Sequence, residues 1–357
     1  MRRVVKVSRI RIIITIIVVV LTTLLTGCTG KEPNEIAYVV ALGIDSTDDD
    51  NYKITIQYAN TTQISGGASE SGGKAGSEIV DNVTIEAPNI YAGVGLANNI
   101  VSKSFSMSHA KLIVFSKEVA EKGVKDMIET LVRSEEIRPD VFIAVANTTA
   151  NDYLTSVNPE MEVNPAQYYQ LIYQKNQLVG IPDGQLREFF TGLYTDNYDS
   201  ILPVAGVIEG SGGNSQNDDK GQSKDSQNEG SEGSSESLDS FESKNSDENE
   251  KEKDAEKNTS KYEYDIKNYV GGETAIEKKN KAEAIGAAVF EKDKMVGELG
   301  EVETEICKML KGDYTYSYLT YYNNDTPDIP ITVKTTQQKK PKYKIDTDNK
   351  TVDIELY

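Results

Sequence analysis

The amino-acid sequence predicts an α+β fold of more than one domain, in which mixed β-sheets are flanked by helices. Strand-like alternation, as at 52–58, and helical spacing of apolar residues, as at 116–133, follow one another along the chain. The length of 357 residues is enough for two or three domains. We divide the chain into a signal peptide at 1–27, an N-terminal α+β region at 28–209, a disordered acidic linker at 210–261 and a C-terminal α+β domain at 262–357.

The first 28 residues combine a basic start, an apolar run and a cysteine. Residues 1–11 contain five basic side chains and no acidic one, and residues 12–25 carry no charge. This run is shorter than the roughly 20 apolar residues of a spanning helix, which indicates a secretory signal. It ends in Leu-Thr-Gly-Cys at 25–28, the arrangement of a lipoprotein cleavage site, so we expect Cys28 to be lipidated. The alternative is an uncleaved signal anchor in which Cys28 is an ordinary thiol.

Cysteine content and charge narrow the possible partners. The sequence has two cysteines, and lipidation of Cys28 would leave Cys307 without a disulfide partner. We interpret Cys307 as a small buried apolar residue of a helix whose apolar side carries Val302, Ile306, Met309 and Leu310. The net charge of −19 makes nucleic acid an improbable partner, and it argues against electrostatic binding to anionic lipid headgroups. Attachment to a membrane would therefore depend on the lipid anchor. The anchored chain would lie on the side of the membrane away from the cytoplasm.

The N-terminal region alternates between strand and helix patterns. The predicted strands are 35–45, 52–58, 78–87, 111–115 and 140–146, with a polar turn at 45–51 and a mobile Gly/Ser-rich loop at 65–77. The predicted helices are 90–101 after Pro88, 116–133 with Ser116 as N-cap, 164–177, and a short helix capped by Asp183.

After residue 209 the composition changes abruptly. Residues 210–260 contain 14 acidic side chains and 6 lysines but few apolar ones, so they cannot bury enough surface to fold. Order is predicted to resume near residue 262. The expected elements are strands at 284–290 and 295–299 joined by a turn at 291–294, a helix at 301–311 that stops at Gly312, and strands at 314–322, 329–336, 342–347 and 351–356.

The sequence contains no recognisable catalytic or metal-binding motif. His109 is the only histidine, and its place before a predicted strand favours a structural hydrogen-bonding role. Zinc sites need clustered Cys and His, which this chain cannot supply. The acidic run 48–51 lacks the spacing, the glycine and the glutamate of an EF-hand loop, so we interpret it as a solvated turn. We therefore expect no enzyme activity, no cofactor and no metal.

Several segments, in their order along the chain, resemble one family. They are LTGC at 25–28, EIAYVVALGID at 35–45, SHAKLIV at 108–114, EVAEKG at 118–123, RSEEIR at 133–138, PAQY at 165–168, LP at 202–203 and GAAVFEKDKMVG at 286–297. Together they resemble the C-subunit lipoproteins of spore germination receptors. The resemblance implies a multi-domain α+β fold without catalysis or cofactor, anchored in the spore inner membrane beside A-type and B-type receptor membrane subunits. It leaves open whether this subunit contacts the nutrient.

Two features depart from the family pattern, and one rival class remains open. The acidic linker is longer than expected, and the last domain of the family usually continues beyond the point that corresponds to residue 357, so we expect a shortened C-terminal domain. The alternative function is a solute-binding lipoprotein of an ABC importer. That class needs two lobes of similar size around a cleft, whereas the two patterned regions here differ about twofold in length.

Overall fold

The computed structural model describes most of the chain outside its polar segments. The described residues are 11–20, 35–49, 51–59, 80–158, 162, 165–174, 180–208, 264–265, 269–274, 281–323, 326–337 and 339–356. Cys28, the loop at 65–77 and the linker at 210–261 lie outside these residues, as does most of the signal peptide, of which residues 11–20 are helical.

Fourteen strands and seven helices follow residue 35 in the described part of the chain. The strands are β1 (Ile36–Ser46), β2 (Tyr52–Ala59), β3 (Val80–Ala87), β4 (Ser104–Ser106), β5 (Leu112–Ser116), β6 (Phe142–Ala146), β7 (Ser200–Val207), β8 (Tyr264–Asp265), β9 (Ala282–Glu291), β10 (Lys294–Leu299), β11 (Tyr316–Asn323), β12 (Thr326–Thr336), β13 (Lys342–Asp346) and β14 (Thr351–Glu355). The helices are α1 (Ile90–Ala97), α2 (Lys117–Lys122), α3 (Lys125–Val132), α4 (Ala150–Ser156), α5 (Pro165–Gln174), α6 (Leu186–Tyr194) and α7 (Glu301–Lys311).

One large mixed sheet organises the described chain. Its strand order is β10-β9-β7-β6-β5-β1-β2-β3, and β4 pairs with the beginning of β1. The central pairs β1–β5, β5–β6 and β6–β7 are parallel, whereas the outer pairs on both sides are antiparallel. A three-stranded sheet β12-β11-β8 and the hairpin β13–β14 complete the strands. The predicted α+β class with mixed sheets and flanking helices is confirmed.

Helices cover both faces of the large sheet, which explains why β5 and β6 are buried at every position. One apolar cluster contains side chains of α1, α2, α3 and α6, including Ile90, Ile128 and Phe189. The other cluster contains side chains of α4 and α5, including Tyr153 and Tyr169. Because each cluster packs on a different side of the same strands, the large sheet is the middle layer of three.

The large sheet combines strands from both sides of the predicted linker. Strand β9 pairs antiparallel with β7, with Leu202 opposite Ala288, although residues 210–261 separate the two strands in sequence. The hairpin β9–β10 therefore extends a sheet that begins at β1. The four domain bounds given by the sequence stay predictions.

Several predicted elements are confirmed. Strand β2 alternates as expected beside β1, the turn at 291–294 joins β9 to β10, and helix α7 ends at Gly312, whose φ is 75°. Ser116 caps α2, since its hydroxyl accepts a hydrogen bond from the Val119 N–H at 3.4 Å. Four elements were not predicted: strand β4, helix α4, strand β7 and the two-residue strand β8.

The predicted single helix at 116–133 is wrong, because two helices, α2 and α3, occupy this range. The chain breaks at Gly123, where φ is 119° and a side-chain Cβ would lie 2.7 Å from Asp293 Oδ2. The next N–H, that of Val124, donates to the Asp293 carbonyl at 3.0 Å. In a continuous helix the Val124 N–H would donate to a carbonyl of the preceding turn, whereas here it donates to the β9–β10 turn.

Two predictions about helix ends and faces are also wrong. Asp183 does not cap α6, whose N-cap is Gln185; the Asp183 carboxylate instead accepts the Gln185 N–H within the preceding turn. Helix α7 does not bury the predicted apolar face. Ile306 is 48% exposed and Cys307 is only half-buried, whereas Glu305 and Lys308 are buried. The helix is turned so that charged side chains face the rest of the molecule.

Candidate functional site

The residues singled out in the sequence do not form one site. Cys28, the predicted lipidation residue, lies outside the described residues. His109 is exposed in the turn before β5, where its Nδ1 lies 3.0 Å from Ser108 Oγ and its ring meets the Tyr38 ring edge-on at 4.8 Å. The predicted hydrogen bond is therefore present, and a structural role for it stays a prediction. Within the described residues, no group of three or more His, Cys, Asp or Glu side chains is placed to hold a metal ion.

The end of β1 has a structural task in the segment EIAYVVALGID. The Asp45 carboxylate is 5% exposed and accepts two hydrogen bonds from the start of α4, from Ala150 N–H at 2.7 Å and from Asn151 N–H at 3.1 Å. The first N–H groups of a helix have no partner inside it, so a carboxylate is well placed there. Burial nevertheless raises the pKa of Asp45, because the loss of hydration outweighs these two bonds.

Gly43 allows α4 to lie directly against β1. A Cβ at this position would lie 3.0 Å from Leu154 Cδ1 and 3.1 Å from Ala150 Cβ. These distances are tighter than ordinary van der Waals contact, so a Cβ here would require Leu154 and Ala150 to move by a few tenths of an ångström. Gly43 and Asp45 together position α4 on the sheet, which explains why the segment 35–45 carries these two residues.

A cleft of about 520 Å³ lies between α6–β7 and α7–β11. Its lining from the first pair of elements includes Asp183, Glu188, Tyr198 and Ser200, and its lining from the second includes Lys308, Lys311, Asp313 and Tyr314. The volume falls within the range of small-molecule sites in proteins. The walls come from parts of the chain that are more than 100 residues apart, and both walls carry charged groups.

The lysine pair of the cleft differs in exposure. Lys308 is 5% exposed, whereas Lys311 is exposed one turn later on the same helix. The Lys311 ammonium lies 5.1 Å from the centre of the Tyr198 ring and donates to the Asp199 carbonyl at 3.4 Å. Lys311 therefore lies across the mouth of the cleft, while Lys308 lies inside it.

Burial shifts the acid–base properties of the cleft. Loss of hydration lowers the pKa of Lys308 to about 8, although Glu305, Asp313 and Asp183 act in the opposite direction. Burial also raises the pKa of Asp183, and the nearby carboxylates Glu188 and Asp313 raise it further. The cleft thus contains positive and negative groups whose charged forms are both disfavoured by burial.

A buried carboxylate lies beside the lysine on α7. Glu305 is 2% exposed and accepts a hydrogen bond from the Ser317 hydroxyl of β11, while its second oxygen Oε2 has no partner among the described residues. Burial raises the pKa of Glu305, whereas the Ser317 hydroxyl and the charge of Lys308 lower it. Glu305 therefore connects α7 to β11 through a buried polar contact.

Sequence reasoning missed the cleft. Its charged residues come from α6, α7 and the segments just before α6 and just after α7, and no local pattern connects them. The one available signal was the spacing of Glu305 and Lys308, which places both side chains on one side of α7. The apolar residues around Ile306 instead predicted that a different side of this helix is buried.

Comparison with known proteins agrees with this architecture. A family model described as the spore germination protein N-terminal domain matches residues 30–207, and a second, described as spore germination B3/GerAC like, C-terminal, matches residues 285–357. The chain belongs to the GerAC-like spore germination proteins. The resemblance drawn from its sequence segments is confirmed.

Relatives of this germination protein are distant. Spore germination protein KC of Bacillus subtilis (strain 168) is 26% identical over 174 residues, which is 45% of this chain and 42% of the relative. Spore germination protein B3 of the same strain is 26% identical over 148 residues, 39% of this chain and 36% of the relative. The chain thus spans less than half of the length of the curated relatives it matches. No solved structure matches it.

The family segments occupy distinct places in the fold. The segment 35–45 is β1, 108–114 is the turn around His109 with the first half of β5, and 286–297 is the β9–β10 hairpin. The two family models end and begin on either side of the cleft, because α6 and β7 belong to the first and α7 and β11 to the second. None of the described helices has the length and apolar character needed to cross a membrane.

Proposed function

We propose that this germination protein is the lipid-anchored, non-catalytic C subunit of a nutrient germinant receptor. The observation that carries the proposal is the match of both family models in their expected order, over 30–207 and 285–357. The subunit would lie on the extracytoplasmic face of the spore inner membrane and act together with A-type and B-type membrane subunits.

A role without catalysis fits the surroundings of the one histidine in the sequence. Nucleophilic catalysis by serine or cysteine commonly needs an imidazole that is oriented by a third group. His109 is exposed in a turn, contacts the adjacent Ser108 and packs against Tyr38. This arrangement supports a local structural contact of His109.

The lipid anchor is tested by the two cysteines. Cys28→Ala is expected to abolish incorporation of a labelled fatty acid and to reduce the amount of protein in the membrane fraction, since the acyl chains supply most of the attachment. Cys307→Ala is the matched control, because it removes the other cysteine, which is half-buried in α7. Its labelling should equal that of the wild type. Equal labelling of the Cys28→Ala variant would contradict the assignment.

Removal of the gene tests the receptor role. Spores without this subunit are expected to respond more slowly to at least one nutrient, while germination by agents that bypass receptors stays normal. A tethered subunit meets its membrane partners at high effective concentration, so its loss should weaken the receptor complex and leave downstream steps intact.

The germination assay needs complementation with the wild-type gene and with the Cys28→Ala variant. Restoration by the wild type alone would support a subunit that acts at the membrane. Unchanged germination across a broad nutrient panel, together with impaired uptake of a solute by growing cells, would replace this proposal with the solute-binding lipoprotein of an importer.

A further inference from the structure

The cleft between α6–β7 and α7–β11 has the features of a binding site that the receptor role does not assign. It encloses about 520 Å³ and separates the regions matched by the two family models. Small-molecule sites occur preferentially at boundaries of this kind. Its lining places ionic groups of both signs around one volume.

The two signs of charge lie on different parts of the cleft. Asp183 and Glu188 lie on the α6 side and are exposed to solvent at the entrance. On the α7 side, the Lys308 ammonium is almost completely enclosed, and Lys311 is held beside Tyr198 at the mouth. Asp313 follows α7 and adds a third carboxylate at the entrance.

We propose that this cleft binds a small zwitterionic molecule, with its ammonium group beside Asp183 and Asp313 and its anionic group beside Lys308. Each half of such a molecule would offset one unfavourable feature of the cleft. The ammonium group would lie between carboxylates that repel one another, and the anion would add negative charge beside a buried lysine whose charged form Glu305, Asp313 and Asp183 already stabilise.

Ligands with a single charge fit the same lining less well. A simple anion would enter between three carboxylates before it reached Lys308, and a simple cation would approach two lysines. The lining also differs from a cation site, since the described residues contain no group of three or more acidic, histidine or cysteine side chains placed to hold a metal ion. Tyr198 and Tyr314 supply hydroxyl groups and flat apolar surface for the uncharged part of a ligand.

The test is calorimetric titration of the full chain in detergent micelles. The probes are unbranched ω-amino carboxylates from glycine to 6-aminohexanoate, each compared with the carboxylate and the amine of the same length. At least one amino carboxylate is expected to bind at least tenfold more tightly than both of its single-charge counterparts. Equal or tighter binding of a counterpart, or no binding in any series, would overturn the proposal.

Charge-removing variants locate the site. Asp183→Asn and Asp313→Asn change exposed side chains, so both should fold, and each is expected to weaken binding at least tenfold. Lys308→Met should abolish binding, provided that its thermal unfolding remains cooperative. Glu121→Gln, at an exposed position of α2 outside the cleft, is the matched control and should bind as the wild type does. Unweakened binding in both aspartate variants would place the ligand elsewhere.

This inference goes beyond the receptor proposal and does not depend on it. If binding fails while deletion of the gene still slows germination, the receptor role stands and the cleft is only structural. If binding succeeds while deletion leaves germination unchanged, the binding site stands and the receptor role fails.

Discussion

Asp45→Ala is expected to lower the free energy of unfolding by about 2–4 kcal/mol, a large part of the stability of a typical domain. The substitution leaves the N–H groups of Ala150 and Asn151 without the carboxylate that accepts from them at 2.7 and 3.1 Å. Because Asp45 is 5% exposed, water cannot readily replace the carboxylate. Helix α4 should therefore loosen from β1, and its amide hydrogens should exchange faster. Denaturant unfolding and hydrogen exchange provide the measurements.

A second cap on the same helix provides the control. Thr149 Oγ1 accepts the Asp152 N–H at 2.9 Å in an exposed position, so Thr149→Ala should cost only about 1 kcal/mol. Asp45→Asn keeps one acceptor oxygen and should fall between the two alanine variants. A cost for Asp45→Ala no larger than that for Thr149→Ala would show that burial of the carboxylate cancels its two hydrogen bonds.

The sequence predicted those elements whose cause is local. Alternation identified β2, and a glycine marked the end of α7, because side-chain direction and backbone conformation depend on neighbouring residues. Helix α4 was not predicted, because its formation depends on a contact with a distant part of the chain. Its sequence ANDYLTS is short and polar, and its start is stabilised by Asp45, which lies more than 100 residues earlier.

The order of the strands and the cleft depend on contacts between distant segments. No local pattern predicts that β9 pairs with β7 across the linker. The same limit explains the error at α7, where the apolar spacing around Ile306 predicted the buried face. The elements around this helix decide which of its sides is covered, and Glu305, which is bonded to Ser317 of β11, and Lys308 are the buried residues. Apolar spacing fails where a buried face is charged, and here that face lines the cleft.

Lys308 is expected to make stability depend on pH in the alkaline range. Its pKa is about 8 in the folded chain, against an ordinary value of 10.5. Between these values the unfolded chain holds more protons than the folded one, so the free energy of unfolding rises with pH. The destabilisation by the buried charge of Lys308 is present below about pH 8 and disappears as pH approaches 10.5. The full destabilisation is about 3 kcal/mol, which is the difference between the two pKa values multiplied by the free energy of one pKa unit.

Comparison of the wild type with Lys308→Met isolates this effect, because other groups that titrate in the same range contribute to both proteins. The stability of the wild type relative to the variant should increase by about 3 kcal/mol between pH 7 and pH 10.5. Denaturant unfolding at closely spaced pH values measures it. Lys311→Met, at an exposed position one turn further along α7, should remain within about 0.5 kcal/mol of the wild type at both ends of the range.

Glu305→Gln tests whether the neighbouring carboxylate sets this balance. The charge of Glu305 raises the pKa of Lys308, so its removal should lower that pKa further and start the rise in stability at a lower pH. Glutamine has nearly the same shape and can still accept from the Ser317 hydroxyl, which limits the change to charge. If the profiles of wild type and Lys308→Met ran parallel, Lys308 would be hydrated in solution. The cleft would then be wider than the packing of α7 on β11 implies, and the anionic half of the proposed ligand would lose its buried partner.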